Sequence, residues 1–140
     1  MLKKVILLLS LSLALSAFDK GVSSGQIMGT SSCPICNMNI KKFYKSSHAV
    51  KHKDGKEEHF CSIVCLKKGK KAGDTIYVAN STTGKMIKVQ SATYIIGSDV
   101  PSTMGAKNSK VAFGSKSDAK KFQKNHGGSL GNFDKALQSK

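Results

Sequence analysis

Four cysteines fall in two tight pairs, Cys33/Cys36 and Cys61/Cys65, with two residues inside the first pair, three inside the second and twenty-four between the pairs. Thiolates are soft donors and select Cu(I) or Zn(II) over the hard cations that prefer oxygen. The knuckle Cys33-Pro34-Ile35-Cys36 supplies two sulfurs from one turn, and Cys61 and Cys65 supply two more from the start of a helix, about one turn apart. Paired cysteines at these spacings describe a treble-clef site, in which a hairpin-sized segment folds four sulfurs around a single ion. Thioethers bind Cu(I) well and Zn(II) poorly, so Met38, two positions after Cys36, and Met104, in the polar loop Val100-Pro101-Ser102-Thr103-Met104-Gly105, bear on the choice of metal. Each methionine also reads as a filler of the core. His48, His52, His59 and His126 are possible nitrogen ligands, and equally exposed or capping histidines.

Two other chemistries use the same residues. An exported chain can oxidise its cysteines to structural disulfides. If Cys61 and Cys65 both lie in a helix, their β-carbons stand about 5 to 6 Å apart, against the roughly 3.8 Å a disulfide wants, so that pair would be strained while cross-pairing between the dyads stays open. Thiol redox catalysis needs a thioredoxin-like βαβ context, and none surrounds Cys33.

The elements that must position the sulfurs are readable in outline. Two short strand-like runs, Ser47 to Lys51 and Glu57 to Phe60, flank Asp54-Gly55, a strong hairpin signal. Ser62 is placed to cap a helix through Lys70. Thr75 to Ala79 is a strand by its β-branched and aromatic content, Met86 to Ile96 reads as one long, bent strand, and Lys110 to Phe113 as another. Ser115 or Ser117 then caps a helix to about Asn125 with Ala119 and Phe122 facing inward, His126-Gly127-Gly128 stops it, and Asn132 to Leu137 forms a last short helix. The fold class is α+β: two small ββα(β) lobes, the first treble-clef-like with its cysteine knuckle. The expected division is a signal peptide at 1–17, a flexible linker at 18–32, a cysteine-rich metal-binding lobe at 33–73 and a second α+β lobe at 74–140.

The amino terminus sets the compartment. Lys3 and Lys4 precede an apolar run from Val5 to Leu15 that ends in Leu15-Ser16-Ala17, the form of a cleavable export signal. No later stretch approaches the roughly 18 apolar residues of a membrane helix, so no transmembrane segment is expected after signal cleavage. No cysteine stands at the cleavage point, so no lipid anchor is expected, and the location read from these residues is periplasmic. The 140-residue chain carries net charge +15, every basic residue being Lys. Lys is a hydrated point charge without the planar fork with which Arg reads bases and grips phosphate. Together with export this argues against nucleic acid, and for either a solvated basic surface or docking on an acidic partner protein or membrane surface.

The run Cys33-Pro34-Ile35-Cys36-Asn37-Met38, the Asp54-Gly55 hairpin, Phe60 before the helix, Ala92-Thr93-Tyr94, the loop Met104-Gly105, the strand Val111-Ala112-Phe113 and the helix Ala119…Phe122…His126-Gly127-Gly128 resemble the NosL family, the nitrous oxide reductase accessory proteins, over about residues 33 to 137. The knuckle is also similar to those of TRASH-type and YHS-type metal-binding modules. Asn37 stands where the family usually has glycine, and Asn also enters left-handed backbone. The resemblance implies a periplasmic Cu(I)-binding chaperone, not an enzyme, that supplies copper for assembly of nitrous oxide reductase, with that enzyme or its assembly machinery as partner. Carried onto this chain, its copper ligands are drawn from Cys33, Cys36, Met38 and Met104. Cys61 and Cys65 open an alternative, a tetrathiolate Zn2+ site that stabilises a TRASH-like interaction module without metal transfer. A periplasmic thiol oxidoreductase is the third reading.

Overall fold

A computed structural model describes residues 32–101 and 109–140. The expected signal peptide, the linker up to residue 31 and the loop methionine Met104 lie outside the described residues.

The first sheet grows from the hairpin. Strand β1 (His48–Lys51) pairs antiparallel with β2 (Glu57–Phe60), His48 opposite Phe60 and Lys51 opposite Glu57. The turn between them is closed by Gly55, whose φ of +86° a glycine reaches without the Cβ clash of other residues. On its other edge β1 takes β3 (Thr75–Ala79), and β4 (Met86–Lys88) completes the order β2-β1-β3-β4. The sequence reading placed Thr75 to Ala79 at the start of the second lobe; in the structure it is hydrogen-bonded along the length of β1.

The long strand expected from Met86 to Ile96 is two strands. After β4 the backbone makes a 3-10 turn at Val89–Ser91, closed by Ala92 N–H on the Val89 carbonyl at 3.2 Å, and resumes as β5 (Thr93–Ile96). The turn carries the chain out of the first sheet and into a second one, ordered β6-β5-β7, with β6 at Lys110–Phe113 and β7 at Ser129–Gly131. An isolated parallel bridge between Asn80 and Ala112 stitches the sheets together.

Among the described residues three helices pack on this frame, each with a side-chain oxygen at its N-cap satisfying an otherwise orphaned N–H. Ser62 caps α1 (Ile63–Gly69), Ser115 caps α2 (Lys116–His126) and Asn132 caps α3 (Phe133–Gln138). Strands β5 and β6 of the second sheet are buried on both faces, so the two-residue period sends alternate side chains into different clusters. Tyr94, Ile96 and Ala112 join Phe60, Val78, Leu66 and the cysteines in the main core, whereas Ile95, Val111 and Phe113 meet Ala119 and Phe122 of α2. The main core therefore runs from the knuckle through both sheets to Ala136 of α3. Among the described residues no helix is long and apolar enough to cross a membrane.

Candidate metal centre

The knuckle is a tight reversal. Cys33 N–H donates to the Met38 carbonyl at 2.9 Å and Asn37 N–H to the Cys33 carbonyl at 2.8 Å, while Asn37 takes a φ of +62°. Asn enters this left-handed region more readily than most residues because its short polar side chain bonds locally. Opposite the knuckle, Cys61 follows the last residue of β2 in the bend before the helix, and Ser62 caps α1 by accepting the Cys65 N–H at 3.4 Å. Cys61 thus lies outside the helix that holds Cys65, which removes the helical spacing expected for this pair, and the two sulfurs stand 3.8 Å apart.

The four sequence-predicted cysteines converge. Their sulfurs all lie within 4.8 Å of one another, with Cys36 and Cys61 at 3.3 Å, and all four are free thiols. A tetrahedral ion with bonds of 2.3 Å to sulfur needs sulfurs about 3.8 Å apart, inside the observed spread, so the donor set fits one soft ion by number, type and spacing. Cys33, Cys61 and Cys65 are buried and Cys36 is half-exposed, with Ile35 beside it the exposed large hydrophobic side chain among the described residues. The cluster has one accessible edge.

Its thiols are electrostatically unequal. Burial opposes ionisation of Cys33, but the backbone N–H groups of Cys61, Cys36 and Ile35, helped by the Cys36 thiol, outweigh it and bring Cys33 down from 9.0 to about 7. Burial, then the Cys36 hydrogen bond and the negative charge on Cys33, pushes Cys61 far up. Burial and the same Cys33 charge push Cys65 up to about 11. One thiolate forms readily near neutral pH and further ones are repelled by it, so a full set of thiolates calls for a cation in their midst.

The other expected ligands are distributed differently. Met38 packs half-buried against the main core beside the knuckle. His48 bonds the Ser46 carbonyl and the Tyr94 hydroxyl, His52 sits between Asp74 and Glu58, and His126 pairs with Asp99 at 2.9 Å. No histidine joins the cysteine group found among the described residues. Sequence reasoning missed Ser46, whose hydroxyl donates to the Cys61 carbonyl at 2.9 Å across a separation of fifteen residues. A serine in a Lys-Ser-Ser run carries no motif, so nothing local points to it.

An α+β frame that gathers four thiols from a knuckle and a strand-to-helix bend defines a sulfur-ligand metal-binding protein. More narrowly, the family model for NosL matches residues 24–139, and the chain belongs to the NosL family. Among solved structures it is similar to the copper chaperone NosL from Shewanella denitrificans, with a TM-score of 0.64 at 24% sequence identity over 79% of this chain and 92% of that one. That likeness is one of fold. A search of curated proteins finds no match.

Proposed function

We propose that this protein is a periplasmic metallochaperone of the NosL type, which takes up Cu(I) with sulfur ligands and passes it on for assembly of nitrous oxide reductase. The observation that carries this reading is the convergence of four free thiols within 4.8 Å with Cys36 at an accessible edge. Transfer by ligand exchange needs such an edge, because an incoming sulfur must reach the ion before the outgoing ones let go. Membership of a family that includes a copper chaperone supports the choice of metal. Met38, at the foot of the knuckle, and Met104 supply the thioethers that favour Cu(I) over Zn(II). The export-like amino terminus supports the compartment, and the excess of lysine supports docking on an acidic partner, the enzyme or its assembly machinery. Such a carrier turns over no substrate.

Burial of three of the four sulfurs favours a second reading, a structural zinc site in an interaction module. Anaerobic titration of the reduced chain separates the two. A chaperone binds Cu(I) with one-to-one stoichiometry, surrenders it to a competing dithiol, and keeps its fold when stripped. Retention of Zn(II) against the same competitor, with loss of structure on chelation, would instead establish the module.

A further inference from the structure

A buried chain of hydrogen bonds leads from the second sheet to the sulfur cluster. Tyr94 on β5 and His48 on β1 are both fully buried, and the Tyr94 hydroxyl lies 2.9 Å from His48 Nε2. The other ring nitrogen, Nδ1, lies 3.0 Å from the Ser46 carbonyl. A carbonyl only accepts, so Nδ1 carries the hydrogen, Nε2 is a bare acceptor and the Tyr94 O–H donates to it. Ser46, its carbonyl held in this way, turns its hydroxyl onto the Cys61 carbonyl at 2.9 Å, with the Phe43 carbonyl at 3.1 Å as the alternative acceptor. The N–H of Cys61, on the other side of the same residue, points at the Cys33 sulfur. Cys61 is therefore gripped from both ends: its carbonyl by Ser46, its amide by the thiolate it helps to hold.

We propose that Tyr94, His48 and Ser46 are positioning residues for the metal centre, fixing the Cys61 backbone so that the Cys33 and Cys61 sulfurs keep their separation, and tying metal retention to the second sheet. Partners of this kind orient the groups that touch a metal, and their loss commonly weakens binding by about 10-fold or more. The proposal rests on the cysteine cluster being a metal site and not on which soft ion it holds.

The test uses the full reduced chain with Ser46→Ala, Ser46→Thr and Tyr94→Phe. Affinity for Cu(I) and, separately, Zn(II) is read by competition with a chromophoric chelator, and amide hydrogen exchange at Cys61 is followed without metal. Ser46→Ala should weaken binding of whichever ion the wild type retains by about 10-fold and speed Cys61 exchange in the metal-free protein. Ser46→Thr, which keeps the hydroxyl, should restore both, and Tyr94→Phe should shift both in the same direction by less. Variants that melt earlier but bind as tightly as the wild type, with Cys61 exchange unchanged, would reduce the chain to a structural brace and overturn the proposal. A wild type that takes up neither ion is a different failure, since it removes the metal site itself.

Discussion

The four cysteines are alike in the sequence and unlike in the structure, so their replacements should part ways. Cys36 is half-exposed, and serine there keeps a polar atom in contact with water; Cys36→Ser should weaken Cu(I) binding while changing unfolding free energy by no more than about 0.5 kcal/mol. Cys65 is fully buried in the first turn of α1, and a serine hydroxyl in that apolar setting should cost about 1 to 3 kcal/mol, read by urea unfolding of the metal-free protein. Equal loss of stability in both would contradict the asymmetry of the site. Asn37 makes a second residue-level case. Its φ of +62° closes the knuckle, and the sequence reading that asparagine would stand in for glycine there is met. Asn37→Gly should leave urea unfolding nearly unchanged, while Asn37→Val, β-branched in a left-handed position, should cost about 1 to 2 kcal/mol and loosen the knuckle toward metal.

Elements whose start and stop are written in local chemistry were legible in the sequence, and those defined by distant partners were not. The Asp54-Gly55 hairpin and the helices behind Ser62, Ser115 and Asn132 needed only a turn signal or a cap, and they stand where expected. Met86 to Ile96 looked continuous because no glycine or proline interrupts it, yet its first half pairs with β3 just upstream and its second half with β6 and β7 well downstream, partners that the local sequence does not name. Strand β7 is three residues, Ser-Leu-Gly, with no alternation to detect. The cysteine quartet was legible because spacing alone brings the pairs together, whereas Ser46 and His48 matter only through contacts the fold creates. Gly128 links these levels, since it follows Gly127, the C-cap of α2, and leads directly into β7 beside β5. Its φ is +87°, and a Cβ there would stand 2.9 Å from the Ile96 carbonyl and 3.0 Å from the Ser98 amide nitrogen, both backbone atoms that cannot swing aside. Gly128→Ala should destabilise the chain by about 2 kcal/mol or more, seen as a lower thermal midpoint, while metal binding to the folded fraction stays intact.

At the scale of the molecule, two buried histidines of opposite character should contribute to stability with opposite dependence on pH. His48 is neutral in the core, burial lowering its pKa from 6.5 to about 4 despite the Ser46 carbonyl. The unfolded chain takes up a proton near pH 6.5 that the folded chain refuses until about pH 4, so stability falls on acidification across that window by on the order of 3 kcal/mol. His52 is the reverse case. Glu58 at 2.9 Å and Asp74 at 2.7 Å bind its two ring nitrogens and raise its pKa, so its contribution is complete below pH 6.5 and is lost as pH rises through the higher folded value. Both carboxylates are lowered, Glu58 chiefly by His52 and Asp74 by the Lys71 N–H and His52 against the pull of burial, so each holds its charge to more acid pH than it would in the unfolded chain. Urea unfolding of the reduced, metal-free chain from pH 4.5 to 8.5 should therefore show the acid limb directly, while above pH 7 the His52 loss is set against a gain from Cys33, whose thiol titrates near 7 in the fold and near 9 in the unfolded chain. His48→Gln should flatten the acid limb at the cost of overall stability, and the stability difference between wild type and His52→Gln should shrink as pH rises above 6.5, which separates the His52 contribution from that of Cys33. An acid limb unchanged in His48→Gln would mean that the buried ring between the two sheets already shares its proton with water, and that the joint between them is open.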